Sequence, residues 1–273
     1  MAQENIKLKQ LLNVLNNWYP VELAEDWDQN GIHFGTPDTP VKRVLVTLDV
    51  RPSVVEEAIR KNIDTIIAHH PPLFKPIQRF DMTRQDIQMY AALIKHDINV
   101  FAMHTNFDAA HNGMNDWLAE KLGLTQIESL VASDETAAGA NPGIGRIGWL
   151  PQPLERKEVL DLVKQQFNRD VLTVIEQTPR AIYQKVGLVG GAGSSFIDHA
   201  VKQEVDLFIT GDISFHQGHD FYDAGFMTID AGHYIEAIFV PRLTENLQQL
   251  VQQQSWDIEI IASQENTNPF CFE

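Results

Sequence analysis

Histidine and carboxylate side chains are grouped in three short motifs of this chain. The motifs are "AHHPPLF" with His69 and His70, "HTNFD" with His104 and Asp108, and "GHYIE" with His233 and Glu236. Imidazole and carboxylate ligands without thiolate suit zinc, iron, manganese or cobalt, and they do not suit an iron–sulfur cluster. The motifs therefore predict a site for divalent metal ions, whose identity the residue types leave open.

Each motif follows an apolar segment that is typical of a buried strand. The segments are "DTIIA", "INVFAM" and "FMTIDAG". In open α/β sheets, ligands bind beyond the carboxyl ends of the strands, where loops and helix N-termini converge. A single histidine is more often a capping or core residue, but three strand ends with metal-type ligands favour a common site.

The backbone around the adjacent histidines predicts two ions. Successive side chains of an extended segment point in opposite directions, so His69 and His70 are poorly placed to reach one ion. Pro71 restricts His70 to extended conformations and fixes that divergence. We therefore expect the two histidines to bind different ions. His233 and Glu236 share one face of a predicted helix, where they bind one ion or bracket two.

The other histidines have weaker claims to chemistry. Ordinary surface roles are expected for His33, His96, His111 and His199. His216 follows a predicted strand end in "GDISFHQGHD", so it is a candidate for proton transfer, for substrate contact or for support of a metal ligand. The sequence has no G-x-S-x-G motif, and its single cysteine, Cys271, lies in "PFCFE". Covalent catalysis is therefore not indicated.

The elements that must position these residues alternate between strands and helices. A helix is predicted over 5–18, a strand over "VKRVLVTLDV", and then a helix with a capping-box pattern at Ser53 and Glu56. The alternation continues through "INVFAMHT" and resumes after residue 180 with "AIYQKVGLVGG" and "DLFITGD". This pattern predicts an α/β fold with largely parallel sheets covered on both faces.

Glycine-rich segments indicate a boundary and a turn. The stretch "VASDETAAGANPGIGRIGWL" predicts a domain boundary near residue 130. Within it, "GIGRIG" lacks the preceding strand of a dinucleotide-binding fingerprint. "GGAGSS", residues 190–195, lacks the lysine of a P-loop and is interpreted as a tight turn between a strand and a helix.

The acidic composition disfavours nucleic acids and anionic membranes as partners. Acidic residues outnumber basic ones 37 to 21, and the formal charge is −16, which repels nucleic-acid phosphates and anionic membranes. An anionic substrate needs local compensation, which bound cations supply. The single cysteine fits a reducing compartment, and neither a signal-peptide pattern nor a long apolar run is present. We expect a cytoplasmic protein.

Six motifs occur in an order that resembles a known family. They are "EDWDQNGIHFG", "AHHPPLF", "HTNFDAA", "GGAGSSF", "TGDISFH" and "DAGHYIE", and they span most of the chain. The chain resembles the NIF-three-like family of dinuclear-metal proteins, which are described as type 2 homologs of GTP cyclohydrolase I. The resemblance implies metal ligands at His69, His70, Asp108, His233 and Glu236. His104 matches a position beside the metals that either ligates or supports them.

The resemblance also implies an architecture and an assembly. Two similar α/β domains are expected, with mainly parallel or mixed sheets flanked by helices. The first comprises 1–129 and is completed by the C-terminal segment 230–273, and the second comprises 130–229. Family members form toroidal hexamers with their sites facing an internal cavity, so a homo-oligomer is expected here.

Two functions of different classes follow from these expectations. The first is a metal-dependent hydrolase of a nucleotide-like substrate such as GTP, in which a metal-bridging hydroxide attacks C8 of the purine and His104 or His216 moves protons. The alternative is a non-catalytic metal-binding assembly or interaction protein that stores, delivers or senses metal. A catalytic site keeps an open coordination position and a structural site is closed by protein ligands, which distinguishes the two.

Overall fold

The computed structural model describes residues 6–133 and 142–271. The chain divides into two compact units, Met1–Phe107 with Phe239–Pro269 and Asp108–Ile238 with Phe270–Glu273. Each unit contains one β-sheet with helices packed against it. This confirms the predicted α/β class, with a first unit completed by a C-terminal segment.

The strands and helices follow the predicted alternation. The strands are β1 (Gly31–Phe34), β2 (Arg43–Thr47), β3 (Thr65–Ala68), β4 (Asn99–Ala102), β5 (Thr125–Ala132), β6 (Gly143–Leu154), β7 (Thr173–Ile175), β8 (Tyr183–Ala192), β9 (Leu207–Gly211), β10 (Met227–Asp230) and β11 (Glu259–Ala262). The helices are α1 (Leu8–Trp18), α2 (Pro52–Arg60), α3 (Gln85–Lys95), α4 (Thr105–Ala109), α5 (Met114–Lys121), α6 (Arg156–Phe167), α7 (Ile197–Lys202), α8 (Phe215–Ala224) and α9 (Phe239–Gln254). Short 3-10 segments lie at Val21–Leu23, Ser194–Phe196 and His233–Ile238.

The first sheet has the strand order β1-β4-β3-β2-β11. Strands β4, β3, β2 and β11 are parallel, and β1 pairs with β4 in the antiparallel sense. All four residues of β3 and of β4 are buried, as expected of central parallel strands covered on both faces. Because β11 pairs with β2, the segment after α9 becomes an edge strand of the first unit.

Helices α2 and α3 bury their apolar faces on this sheet. Val54 and Ala58 of α2 and Ile87 and Leu93 of α3 belong to one core cluster. The capping box predicted at Ser53 is wrong, because α2 begins one residue earlier with Pro52 in its first turn and has no side-chain cap. Proline suits a first helical position, since its missing N–H would have no intrahelical partner there.

The second sheet has the order β5-β6-β8-β9-β10-β7. Strands β8, β9 and β10 are parallel, and the remaining pairs are antiparallel. This sheet is therefore mixed, and the prediction of a largely parallel sheet is wrong for the second unit, because its outer strands pair in the antiparallel sense. Phe208, Phe221 and Phe226 pack together in its core. "GIGRIG" lies inside β6, where Gly143 has φ +144 and a Cβ would meet the carbonyl oxygen of Val131 at 2.0 Å. These glycines therefore serve strand packing.

The bounds of the two compact units differ from the predicted domain bounds in two segments. The sequence assigns 108–129 and 230–238 to the first domain, whereas both segments fall in the second compact unit. The physical reason is α5, which packs against β6 and β8. Part of the glycine-rich stretch behind the predicted boundary, residues 134–141, lies outside the described residues.

Among the helices that the structure describes, none is long and apolar enough to cross a membrane.

Candidate metal centre

Three imidazoles of the first unit lie together at the ends of two neighbouring strands. His69 and His70 directly follow β3, and His104 follows β4. Since β3 and β4 are parallel neighbours, their carboxyl ends meet at one edge of the sheet. Each imidazole offers one ring nitrogen, and the three nitrogens lie within 4.8 Å of one another. The predicted grouping of His69 and His70 of "AHHPPLF" with His104 of "HTNFD" is therefore present within this unit.

The backbone of the adjacent histidines continues the sheet. The N–H of His69 donates to the carbonyl of Thr47 at 3.3 Å, and that of His70 donates to Leu48 at 2.9 Å. The two ring centroids are nevertheless only 4.8 Å apart. Both rings thus belong to one donor cluster, and their assignment to different ions stays a prediction.

A hydrogen bond at Nδ1 orients each of these imidazoles. The Nδ1 of His69 lies 2.8 Å from the carbonyl oxygen of Met103, and those of His70 and His104 lie 2.7 Å from carboxylate oxygens of Asp49 and Asp28. Carbonyl and carboxylate oxygens only accept hydrogen bonds, so each Nδ1 carries the proton and donates. In the neutral rings, Nε2 then presents its lone pair. Metal-binding histidines show this arrangement, so the donors fit a divalent metal.

The Asp28 carboxylate is buried and remains charged. It accepts hydrogen bonds from the Nδ1 of His104, from the N–H and hydroxyl of Thr105, and from the amide of Asn30. Burial opposes ionisation, but the bonds from His104 and Thr105 outweigh it and hold the pKa of Asp28 well below its usual range. Asp28 therefore fixes the tautomer and the orientation of His104.

Asp49 holds His70 in the same way. Burial again opposes ionisation, and hydrogen bonds from His70 and from the hydroxyl of Thr267 lower the pKa of Asp49 below its ordinary value. Asp28 and Asp49 were not identified from the sequence as site residues. A signal existed for each, since Asp28 lies in the "EDWDQNG" motif and Asp49 follows the carboxyl end of β2.

Asp108, His233 and Glu236 belong to the second unit. His233 and Glu236 lie on the 3-10 segment after β10, and Asp108 lies on α4. The Nε2 of His233 is 3.1 Å from a carboxylate oxygen of Glu236, and its Nδ1 is 2.7 Å from Asp212. Carboxylate oxygens of Asp108 and Glu236 lie within 4.8 Å of each other. This unit thus brings one imidazole and two carboxylates together.

The glycine-rich end of β8 makes room for Glu236. At Gly191, with φ +61, a Cβ would lie 2.6 Å from the Oε1 atom of Glu236 and 3.3 Å from the His233 ring. The buried Asn115 accepts a hydrogen bond from the N–H of Gly190 and donates one to the carbonyl of Asp108. The start of the "GGAGSS" segment therefore approaches the candidate ligand Glu236 closely, which explains Gly190 and Gly191, whereas a Cβ at Gly193 would meet Thr210 and Val189.

The structure leaves the other histidines apart from these donor groups. His216 lies on α8, is exposed, and has its ring 5.6 Å from that of Phe215. Among the described residues, the close groups of metal-type donors include neither His216 nor His33 nor His111. His33 instead contacts the carbonyl of Gln29 at 2.9 Å.

Fold and site together define an α/β protein in which each unit holds a group of candidate metal ligands close to where its strands end. The chain belongs to the Duf34/NIF3 (NGG1p interacting factor 3) family, whose model matches residues 6–269. This confirms the resemblance carried by the six sequence motifs.

Individual relatives are similar over nearly the whole chain. A "GTP cyclohydrolase 1 type 2 homolog" of Streptococcus pneumoniae is 41% identical over 254 residues, covering 92% of this chain and 94% of that protein. The crystal structure of a Bacillus cereus protein related to NIF3 has a TM-score of 0.92 at 24% identity, covering 99% of this chain and 100% of that one. A Staphylococcus aureus hypothetical protein has a TM-score of 0.91 at 27% identity, with the same coverage.

Proposed function

We propose that the protein is a dinuclear-metal-dependent hydrolase that acts on a nucleotide-like substrate. The observation that carries the proposal is shared by four imidazoles. His69, His70, His104 and His233 each have Nδ1 within 2.8 Å of an oxygen acceptor. This arrangement leaves Nε2 as the nitrogen that can bind a metal.

The proposed ligands of two divalent ions are His69, His70, Asp108, His233 and Glu236. Zinc, iron, manganese and cobalt all suit these donors. Two such ions supply Lewis acidity, which lowers the pKa of a bound water toward ~7 and polarises the substrate. His104, with its Nδ1 donated to Asp28, holds an oriented Nε2 that ligates or exchanges a proton with the reacting groups. His216 is the second proton-transfer candidate, and its exposure to solvent is compatible with that role.

The substrate class is supported by the relatives and by charge. The Streptococcus pneumoniae relative carries a name that refers to GTP cyclohydrolase. A chain with a formal charge of −16 attracts a nucleotide poorly unless cations offset the repulsion. Divalent ions held by the candidate ligands would provide that compensation.

The test combines metal analysis with a substrate panel. Metal per chain is measured by mass spectrometry for the wild type, Asp108→Ala, Glu236→Ala and the control Asp170→Ala, which removes an exposed carboxylate of the same unit. Each protein is then assayed against GTP, other nucleotides and phosphoesters. We expect about two ions per chain and turnover in the wild type and control, and loss of both in the two ligand variants.

The other outcomes decide between the two classes of function. Stoichiometric metal without turnover of any compound would favour the alternative, a metal-binding assembly protein that stores, delivers or senses metal. Activity that survives in chelator-treated, metal-free protein would contradict the hydrolase proposal.

We further propose a homo-oligomer, with the toroidal hexamer of the family as the specific expectation, in the cytoplasm. The single cysteine supports the reducing compartment. Light scattering on the purified chain measures the oligomer directly, and a monomeric mass would contradict it.

A further inference from the structure

Trp27 and Phe74 form an exposed aromatic corner beside His104. Trp27 is 55% exposed and Phe74 is 49% exposed. Their ring centroids are 5.9 Å apart at an interplanar angle of 60°. Both rings also contact the imidazole of His104, with centroids 6.0 Å and 6.4 Å away. The corner therefore adjoins one of the oriented imidazoles of the first unit.

The loop that carries Trp27 is firmly held although the ring itself is exposed. Asp28 is buried and accepts bonds from His104 and from Thr105. The N–H of Glu25 donates to the Thr105 hydroxyl at 3.0 Å, and the Asn30 side chain accepts from the N–H of His104 at 2.7 Å. Hydrogen bonds on both sides of Trp27 thus fix the loop. A fixed, exposed ring loses little freedom on binding, which is the property of a pre-organised binding surface.

We propose that the aromatic corner binds the planar heteroaromatic ring of a nucleobase and presents it to His104, an inference that rests on the proposed function and specifies how its substrate is recognised. The 5.9 Å separation is already a direct aromatic contact, so the two rings form a corner and leave no slot between them. A base stacks on the exposed face of one ring and meets the other with its edge. Every nucleobase offers such a π-face, so stacking on the corner selects nucleobases as a class and does not distinguish one base from another.

The size of the corner favours a small ring over a protein partner. A fully buried aromatic side chain covers about 150–250 Å². Two half-exposed rings therefore offer about 200 Å², far less than the roughly 800 Å² per partner of a standard protein interface. The exposed side chains next in sequence are Asp26 and Lys75, an acceptor and a donor suited to the polar edge of a base.

The experiment compares two probes on the metal-loaded protein. Binding of guanosine 5′-monophosphate and of ribose 5-phosphate, which lacks the base, is measured by calorimetry. The variants are Trp27→Ala, Phe74→Ala and Trp27→Phe, and the control is Phe80→Ala, which removes another exposed aromatic ring of the same unit. Metal content and thermal melting are recorded for each protein.

We expect the wild type to bind guanosine 5′-monophosphate at least about fivefold more tightly than ribose 5-phosphate, as one stacked base predicts. Trp27→Ala and Phe74→Ala should remove most of that preference while metal content is unchanged. Trp27→Phe and Phe80→Ala should keep it. Because Phe74→Ala and Trp27→Phe test the corner independently, misfolding of Trp27→Ala leaves the comparison decisive.

Several results would overturn the inference. The wild type could bind both probes equally, or Trp27→Ala and Phe74→Ala could keep the full preference. Loss of the oligomer in both variants would instead identify the corner as a contact between copies of the chain. Failure of the proposed function is seen separately, because a preference for guanosine 5′-monophosphate over ribose 5-phosphate that depends on Trp27 supports the corner even when no substrate is turned over.

Discussion

The Asp28 carboxylate accepts a hydrogen bond from the Nδ1 of His104 at 2.7 Å, although 76 positions separate the two residues in the sequence. Asp28 is fully buried and also accepts from both the N–H and the hydroxyl of Thr105. One carboxylate thus fixes the Trp27 loop, the start of α4 and the tautomer of an imidazole. Local fold and candidate chemistry depend on the same group.

Asp28→Asn is expected to weaken metal binding. An asparagine accepts through one atom only, and its amide group would face donors that the carboxylate now satisfies. Loss of such a partner behind a histidine that ligates a metal typically lowers metal affinity by about 10–100-fold, so a drop of this size would identify His104 as a ligand. A chelator-competition titration measures the effect. Asp38→Asn is the control, since Asp38 pairs with Lys9 at the surface, and equal affinity in Asp28→Asn and wild type would refute this role.

Gly191→Ala is expected to reduce metal content by displacing the proposed ligand Glu236. A Cβ at this position would lie 2.6 Å from Oε1 of Glu236, and the backbone has φ +61. Gly123→Ala is a matched control, because Gly123 has φ +72 but a Cβ there would meet nothing within 4 Å. Both variants should lose about 1–2 kcal/mol of stability to backbone strain. Only Gly191→Ala should lose bound metal, measured per chain by mass spectrometry, and equal metal in both would show that crowding is unimportant.

The sequence predicted the elements that carry the candidate ligands because their signals are local. The apolar run before His69 and the run before His104 identified β3 and β4, and parallel pairing then brings their ends together. The terminal helix was expected near His233, whereas a 3-10 segment occupies His233–Ile238 and α9 begins at Phe239. A spacing of three residues brings His233 and Glu236 onto one face in an α-helix and in a 3-10 segment alike.

Other features could not be predicted because they depend on distant partners. "NGIHFG" reads as a loop, yet Gly31–Phe34 forms an edge strand through pairing with β4. Asp28 and Asp49 look like ordinary loop carboxylates until the fold places them 2.7 Å from His104 and His70. The periodicity of apolar residues along a sequence indicates which face of a helix or strand is apolar. It carries no information about contacts between residues that are 76 positions apart.

Acid is expected to destabilise the first unit through Glu57. Burial opposes ionisation of this carboxylate, but hydrogen bonds from Lys61, Ser263 and the N–H of Gln264 outweigh it and hold its pKa below the ordinary value. A depressed folded pKa stabilises the protein above the unfolded pKa, and this contribution is lost as the pH falls through the folded value. Stability should therefore decline below about pH 4.5.

Urea unfolding of metal-free protein, at pH values about one unit apart between pH 3 and pH 7, measures this decline without the pH dependence of metal binding. Glu57→Gln should be less stable at pH 7 and should show a flatter pH dependence. Glu56→Gln is the control, because Glu56 is the exposed neighbour of the buried Glu57. If the free energy of unfolding fell with pH to the same extent in Glu57→Gln and in the wild type, the Glu57 carboxylate would not be the group that links pH to stability.

Arg146→Met is expected to destabilise the second unit strongly. The Arg146 guanidinium is 1% exposed, pairs with Asp116 and donates to the carbonyls of Gly143, Gly145 and Ala110. Removing it takes one donor from three carbonyls and from the Asp116 carboxylate, which keeps only its bond from the N–H of Asn112 and the nearby His111 ring. Breaking such a buried pair costs about 3–5 kcal/mol. Chemical denaturation measures the loss. Lys157→Met, which breaks an exposed pair with Asp161, should leave the stability nearly unchanged, because water screens such a pair.

The double variant Asp116→Asn with Arg146→Met should lose less stability than the two single variants together, because the groups act as a pair. Additive losses would contradict that coupling.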